Sequence, residues 1–126
     1  MTVHVLLVED NELNRDMLSR RLQRANYRVS TAGDGEQALE RMRSDKPDVV
    51  LLDMNLPVKD GWTTAAEARE SEELAGVKII ALTAHAMGED RHKALAVGCD
   101  DYATKPVDFP ALLEKMQQLI SGDNAP

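Results

Sequence analysis

The sequence has one cysteine, Cys99, in 126 residues, so no disulfide can form within the chain. A cysteine-stapled secreted scaffold is excluded, and a reducing, cytoplasmic compartment is the expectation. Aromatic residues are almost as scarce, with one Trp, one Phe and two Tyr. A core must therefore be assembled from Val, Leu, Ile, Ala and Met, ordinary material for an α/β protein. No apolar run approaches the length of a membrane span, or of a signal segment followed by a cleavage site, so no membrane partner is expected. Positive charge is also in deficit: 15 Lys and Arg stand against 22 Asp and Glu, a formal charge of −7. Such a chain repels a phosphate backbone, which argues against nucleic acid as a partner and for cations as guests. Repeats and low-complexity tracts are absent, and the length suits one domain with a core of its own.

What is present is organised around one stretch, Asp48 to Gly61. Val49, Val50, Leu51 and Leu52 lie between Lys46-Pro47 and a loop carrying Pro57 and Gly61, the pattern of a central strand buried on both faces. The strand ends in a carboxylate, Asp53. In open parallel sheets ligands bind beyond the carboxyl ends of the strands, so Asp53 stands at a functional address. Two further aliphatic runs, residues 3–8 and 77–82, read as strands ending at Glu9-Asp10 and at Thr83. Tyr27 to Thr31 alternates apolar and polar, as a strand nearer a sheet edge would. Asp100 to Thr104 reads as a weak strand ending at Lys105-Pro106.

Helices are expected between these strands. The first runs from about Asn11 to Ala25, with Asn14, Leu18, Leu22 and Ala25 on one face. A second is capped by Asp34, with Gln37 three residues on, buries Ala38, Leu39 and Met42, and stops at Lys46-Pro47. A third spans Trp62 to about Ser71, and a fourth runs from about Met87 to Val97, closed by Gly98. The fifth is capped by Asp108, carries Pro110 in its first turn and reaches Gly122. Alternating strands and helices with right-handed crossovers imply a doubly wound five-stranded parallel sheet, flavodoxin-like; the order 2-1-3-4-5, one of the two common for such sheets, is the expectation. Residues 1–122 form the expected domain, and 123–126 a short flexible tail.

This topology puts all strand carboxyl ends on one rim and gathers Glu9, Asp10, Asp53, Thr83 and Lys105 there. Three close carboxylates disfavour one another's ionised forms, so either some take up protons or a divalent cation supplies the missing charge. Oxygen ligands without His or Cys select Mg²⁺ over zinc, and Mg²⁺ keeps waters and a phosphate oxygen among its ligands. The site invites a phosphoryl group, with Asp53 as the attacking carboxylate and Lys105 and Thr83 as phosphate contacts.

The motifs that carry these residues resemble those of two-component response-regulator receiver domains over nearly the whole chain. They are Glu9-Asp10, Asp53 with Asn55-Leu56-Pro57 and Asp60-Gly61, Ala81-Leu82-Thr83-Ala84, and Gly98-Cys99-Asp100-Asp101-Tyr102 with Lys105-Pro106. The resemblance implies that Asp53 is a phosphoacceptor, taking its phosphoryl group from a phosphohistidine of a histidine kinase or phosphotransfer protein. It implies that Glu9, Asp10, Asp53 and the backbone carbonyl of Asn55 hold Mg²⁺, or Mn²⁺ in its stead. Thr83, Ala84, Lys105 and Tyr102 become the phosphate-binding and switch residues, with Tyr102 moving into space that Thr83 leaves. Asn55 and His85 take positions that modulate phosphate lifetime, and Pro106 follows a cis peptide bond. Output is then protein binding through the fourth helix, fifth strand and fifth helix, to a target or to a second copy of the domain. The only chemistry implied is self-catalysed phosphotransfer and autodephosphorylation.

Two positions depart from the pattern. Glu9 replaces a frequent Asp and changes the reach to the metal. Lys59 stands where an apolar residue, often Met, is usual, and bears either on partner recognition or on the mobility of the loop after Asp53. Singly, each residue has a plainer reading: Asp10 or Asp53 as a helix cap, Thr83 as a β-branched strand residue, Tyr102 as a packing aromatic, Lys105 as a solvated lysine. Asp100 and Asp101 read as caps or surface charges, Cys99 as a small buried hydrophobe, and His4, His85 and His92 as too dispersed for a metal site. Leu13 and Met17 read first as core, though Leu13 lies off the main stripe beside the crevice. An aspartyl phosphatase would want an Asp-x-Asp where Asp10-Asn11-Glu12 stands, and a nucleotide or flavin binder a phosphate-cradling loop there. The remaining alternatives to a stand-alone receiver are a pseudo-receiver that binds partners without phosphorylation and a receiver excised from a hybrid kinase.

Overall fold

Consecutive aliphatic residues in a strand point to opposite faces of a sheet, so an unbroken aliphatic strand needs a helical layer on each side. The computed structural model, which describes residues 3–74, 76–84 and 88–121, meets that demand with alternating elements. They are β1 (His4–Val8), α1 (Glu12–Arg24), β2 (Arg28–Ala32), α2 (Gly35–Asp45), β3 (Val49–Asp53), α3 (Gly61–Glu70), β4 (Lys78–Thr83), α4 (Gly88–Ala96), β5 (Asp101–Thr104) and α5 (Phe109–Ser121). All strands pair in parallel in the order β2-β1-β3-β4-β5, as expected from the sequence. The expected tail, 123–126, and the expected helix start at Met87 lie outside the described residues.

The strands sort their side chains into two apolar layers. Leu6, Val8, Val50, Leu52, Ile79 and Ala81 pack on one face with Ala38, Leu39 and Met42 of α2, Ala65 and Ala68 of α3, and Ala94 of α4. Val5, Leu7, Val49, Leu51, Ile80 and Leu82 pack on the other with Leu22 of α1 and Leu112 and Met116 of α5. The edge strand β2 is only partly buried, which is why its sequence alternates. On α1 the expected stripe shrinks to Leu22 as the one fully buried residue, with Leu18 half-buried and Asn14 exposed.

Side-chain caps set the helix starts. Asn11, Asp34 and Asp60 each accept the backbone N–H three residues on, from Asn14, Gln37 and Thr63. Gln37 Oε1 in turn accepts the N–H of Gly33 rather than that of Asp34, one residue earlier than in a standard capping box. α2 ends with Lys46 in the left-handed region (φ 48) before Pro47, and α4 is followed by Gly98 at φ 105. At the end of the sheet away from the strand carboxyl termini, Arg69 of α3 donates to the carbonyls of Gly98 (2.6 Å) and Val77 (2.7 Å) and to Asp100 (2.8 Å). The same Asp100 oxygen accepts the N–H of Ile79. Asp100 is thus a structural tie between α3 and β4, more than the surface charge read from sequence. Cys99 is buried, and burial pushes its thiol up to about 12, so it is no thiolate at neutral pH.

Gly61 fixes how closely α3 approaches the end of β3. A Cβ there would lie 2.5 Å from Met54 Cα and 2.6 Å from the Asp53 carbonyl oxygen, both backbone atoms. Gly61→Ala is therefore expected to destabilise the fold by about 1–3 kcal/mol through overpacking, measured by urea denaturation. A midpoint equal to that of the native chain would show that α3 is free to shift.

Candidate functional site

In the order β2-β1-β3, the chain leaves β1 toward one side and β3 toward the other, and the crevice opens between those two strand ends. Asp53 is the last residue of β3, and Glu9 and Asp10 follow the last residue of β1. Thr83 ends β4, and Lys105 follows β5. Glu9, Asp53 and Thr83 are buried, while Asp10 is exposed. Together with Asp10, Asn55, Ala84 and Lys105 they line a crevice of about 500 Å³. The structure thus brings together the residues that the sequence placed on this rim.

Lys105 ties the site together. Its Nζ donates to Asp53 Oδ2 at 2.9 Å and to Glu9 Oε1 at 3.1 Å. The remaining oxygen of each carboxylate accepts a backbone N–H: Asn55 donates to Asp53 Oδ1 at 2.9 Å, and Asn11 to Glu9 Oε2 at 3.1 Å. The Glu9 carbonyl accepts from Arg15 Nη1, and the Glu9 N–H donates to Ala32, so the turn after β1 is fixed on both sides. The Lys105-Pro106 peptide is cis.

Burial raises the Glu9 carboxyl above its ordinary value; the Asn11 and Lys105 hydrogen bonds oppose the rise, and the charge of Asp53 adds to it. For Lys105, burial alone would lower the ammonium, but the hydrogen bonds to Asp53 and Glu9 outweigh it and hold the group above the usual lysine value. Of the three carboxylates in the crevice, Lys105 pairs with two, Glu9 and Asp53. Glu9, Asp10 and Asp53 each offer an oxygen within 4.8 Å of the others. A donor set made only of oxygens, with negative charge in excess, fits a hard divalent cation such as Mg²⁺.

Other residues singled out from the sequence fall elsewhere. Tyr102 is half-buried on β5, outside the crevice lining, with Arg91 Cζ 6.0 Å and Lys115 Nζ 5.5 Å from its ring centroid. Asp101 pairs with Lys115 at 3.3 Å. Asn55 is exposed at the mouth, and His85 lies outside the described residues. Leu13 and Met17 are exposed rather than core, 67% and 54% accessible. Lys59 turns back onto the fold, 2.6 Å from Glu67 of α3 and 3.5 Å from Glu36 of α2. It pins the loop after Asp53 to both helices. In that loop the exposed, β-branched Val58 has φ 64, a strained conformation for its type.

Among the crevice residues that sequence reasoning missed are Trp62 of α3 and Lys93 of α4. Trp62 could have been found, because the second residue of a helix that starts at the carboxyl rim stands beside the crevice. No sequence signal pointed to Lys93.

The fold and the oxygen-rich crevice at its switch point define a receiver-type α/β protein. The family described as the response regulator receiver domain matches residues 5–117, and the chain belongs to that family. It is similar to the polar-differentiation response regulator DivK of Brucella ovis, 32% identical over 95% of this chain and 98% of that protein. It is also similar to the receiver domain of the sensor histidine kinase PA1611 of Pseudomonas aeruginosa, solved with a magnesium ion in its active-site cleft. The identity there is 37% and the TM-score 0.88, over 97% of this chain and 100% of that one. A third similarity is to the receiver domain of Ssk1 of Saccharomyces cerevisiae, solved with the histidine phosphotransfer protein Ypd1. That match has 34% identity and a TM-score of 0.86, over 97% of this chain and 95% of that one.

The raised Glu9 value has a definite sign. The folded state holds a proton on Glu9 more readily than the unfolded chain does. Its contribution therefore favours folding below the ordinary glutamate value and is lost as pH rises through the raised one. In Mg²⁺-free buffer, Glu9→Gln is expected to match or exceed native thermal stability at neutral pH, while Mg²⁺ affinity falls about tenfold or more. A scanning melt and a Mg²⁺ titration measure the two. A variant markedly less stable at neutral pH, with native Mg²⁺ affinity, would contradict this electrostatic picture.

Proposed function

We propose that this receiver is a phosphorylation-dependent switch of a two-component system, with Asp53 as its phosphoacceptor. The observation that carries the reading is the pairing of Asp53 with Lys105 at 2.9 Å, inside a crevice that also holds Glu9 and Asp10. A carboxylate kept as a nucleophile needs its charge retained and an approach open to the incoming group. Lys105 serves the first need and the crevice the second. In the transfer, an Asp53 oxygen forms the new O–P bond while the N–P bond of a phosphohistidine breaks, and the imidazole leaves with that electron pair. The donor is a histidine kinase or a phosphotransfer protein, as the Ssk1–Ypd1 pair suggests by similarity.

Glu9, Asp10, Asp53 and the backbone carbonyl of Asn55 would hold Mg²⁺, with Mn²⁺ as a substitute; the PA1611 receiver supports this by similarity. When bound, the ion supplies positive charge that offsets the phosphoryl oxygens. Lys105 neutralises a phosphoryl oxygen, the Thr83 hydroxyl donates to another, and Ala84 lies beside them at the rim. Asn55 and His85 set access of water to the acyl phosphate and so its lifetime.

Phosphorylation adds about −1.5 to −2 charges. Drawing Thr83 and Lys105 toward them biases a two-state surface around Tyr102. The signal passes through α4, β5 and α5 to a target protein or a second copy. The receiver unit takes in residues 1–122, its place is the cytoplasm, and its chemistry is limited to its own phosphotransfer and dephosphorylation. Among the described residues no helix is long and apolar enough to cross a membrane. Similarity to a sensor-kinase receiver favours a second reading of its context, as the receiver of a hybrid kinase.

The test is intact mass after incubation with acetyl phosphate, with and without Mg²⁺. One Mg²⁺-dependent phosphoryl adduct is expected on the native chain and none on Asp53→Asn. A folded, Mg²⁺-binding native chain that gains no adduct would instead be a pseudo-receiver.

A further inference from the structure

The crevice carries a second cation. Lys93, on α4, lines it together with Asp53, Thr83 and Lys105. Its Nζ lies 4.8 Å from the centroid of the Trp62 ring. Trp62 lines the same crevice from α3 and packs against the apolar layer beneath it. Lys105 already serves two carboxylates, Glu9 and Asp53. A cation over a neutral ring at a partly exposed site is held weakly. A phosphoryl group brings close to two negative charges into a crevice that is already rich in them. The competition between a neutral ring and a dianion for one ammonium on a flexible stem favours the dianion.

We propose that Lys93 is a second phosphoryl-binding cation, which exchanges the Trp62 ring for the phosphoryl oxygens when Asp53 is loaded. The proposal rests on the reading of Asp53 as the phosphoacceptor and adds a residue to it. It also gives α4 a direct link to the chemistry. While Lys93 lies over Trp62 it ties α4 to α3, and its transfer releases that tie, independently of the route through Thr83 and Tyr102. Trp62 is the only tryptophan in the chain, so its emission reports the event.

Lys93→Gln removes the charge at an exposed helical position and keeps a good helix former, and Lys93→Arg restores the charge. Phosphoryl uptake from acetyl phosphate is followed by intact mass at low and high salt, and Trp62 emission is recorded on adding beryllofluoride with Mg²⁺. In Lys93→Gln, uptake is expected to slow about three- to fivefold at low salt, the size of a partly exposed ion pair. Its salt dependence should flatten and the emission change should largely vanish, with Lys93→Arg restoring all three. Native uptake rate, salt dependence and emission change in Lys93→Gln would overturn the proposal while leaving Asp53 as phosphoacceptor. A native chain that takes up no phosphoryl group would overturn both.

Discussion

The bond network of one ammonium between two buried carboxylates organises this protein. Lys105 reaches Asp53 and Glu9 from the far side of the crevice and so joins the ends of β1, β3 and β5. Without it, two carboxylates drawn out of water side by side would oppose each other's ionisation and the folding of the rim. With it, the rim still carries more negative charge than it can neutralise, because Asp10 stands at the mouth. That surplus suits the crevice to a hard cation and, in the proposed function, to a phosphoryl group that the cation would help hold.

The rest of the fold holds these groups in register. Two apolar layers fix the five strands, and strand register fixes which residues emerge at the carboxyl rim. Local devices then set the two loops that matter. Arg15 and Ala32 hold the turn at Glu9, and Gly61 lets α3 start against the backbone of Asp53 and Met54. Lys59 clamps the loop between them to α2 and α3. A lysine in place of the usual apolar residue acts here on the loop, since its ammonium is turned onto Glu67 and Glu36.

Much of this was legible in the sequence because burial on both faces writes long aliphatic runs and because Asp, Asn, Gly and Pro mark where helices begin and end. The rim residues Glu9, Asp10, Asp53, Thr83 and Lys105 followed from those runs, whereas the strand order came from the arrangement common to such sheets. Features that depend on side-chain reach across elements were not legible. Arg69 finding Asp100, Lys59 finding Glu67, and Lys93 finding Trp62 are pairings between residues many positions apart on amphipathic helices or loops. Helical periodicity set Leu13 off the main stripe of α1 but did not show that Met17 is exposed, since an apolar residue reads the same whether it faces a core or a partner.

The most direct measurement locates the phosphoryl group after transfer from a phosphohistidine-bearing protein. Borohydride reduction converts an aspartyl phosphate to homoserine, and peptide mass spectrometry finds the converted position. The account predicts conversion at position 53 alone, dependent on Mg²⁺. Conversion at Asp10 or another carboxylate, or none at all despite a competent donor, would contradict it.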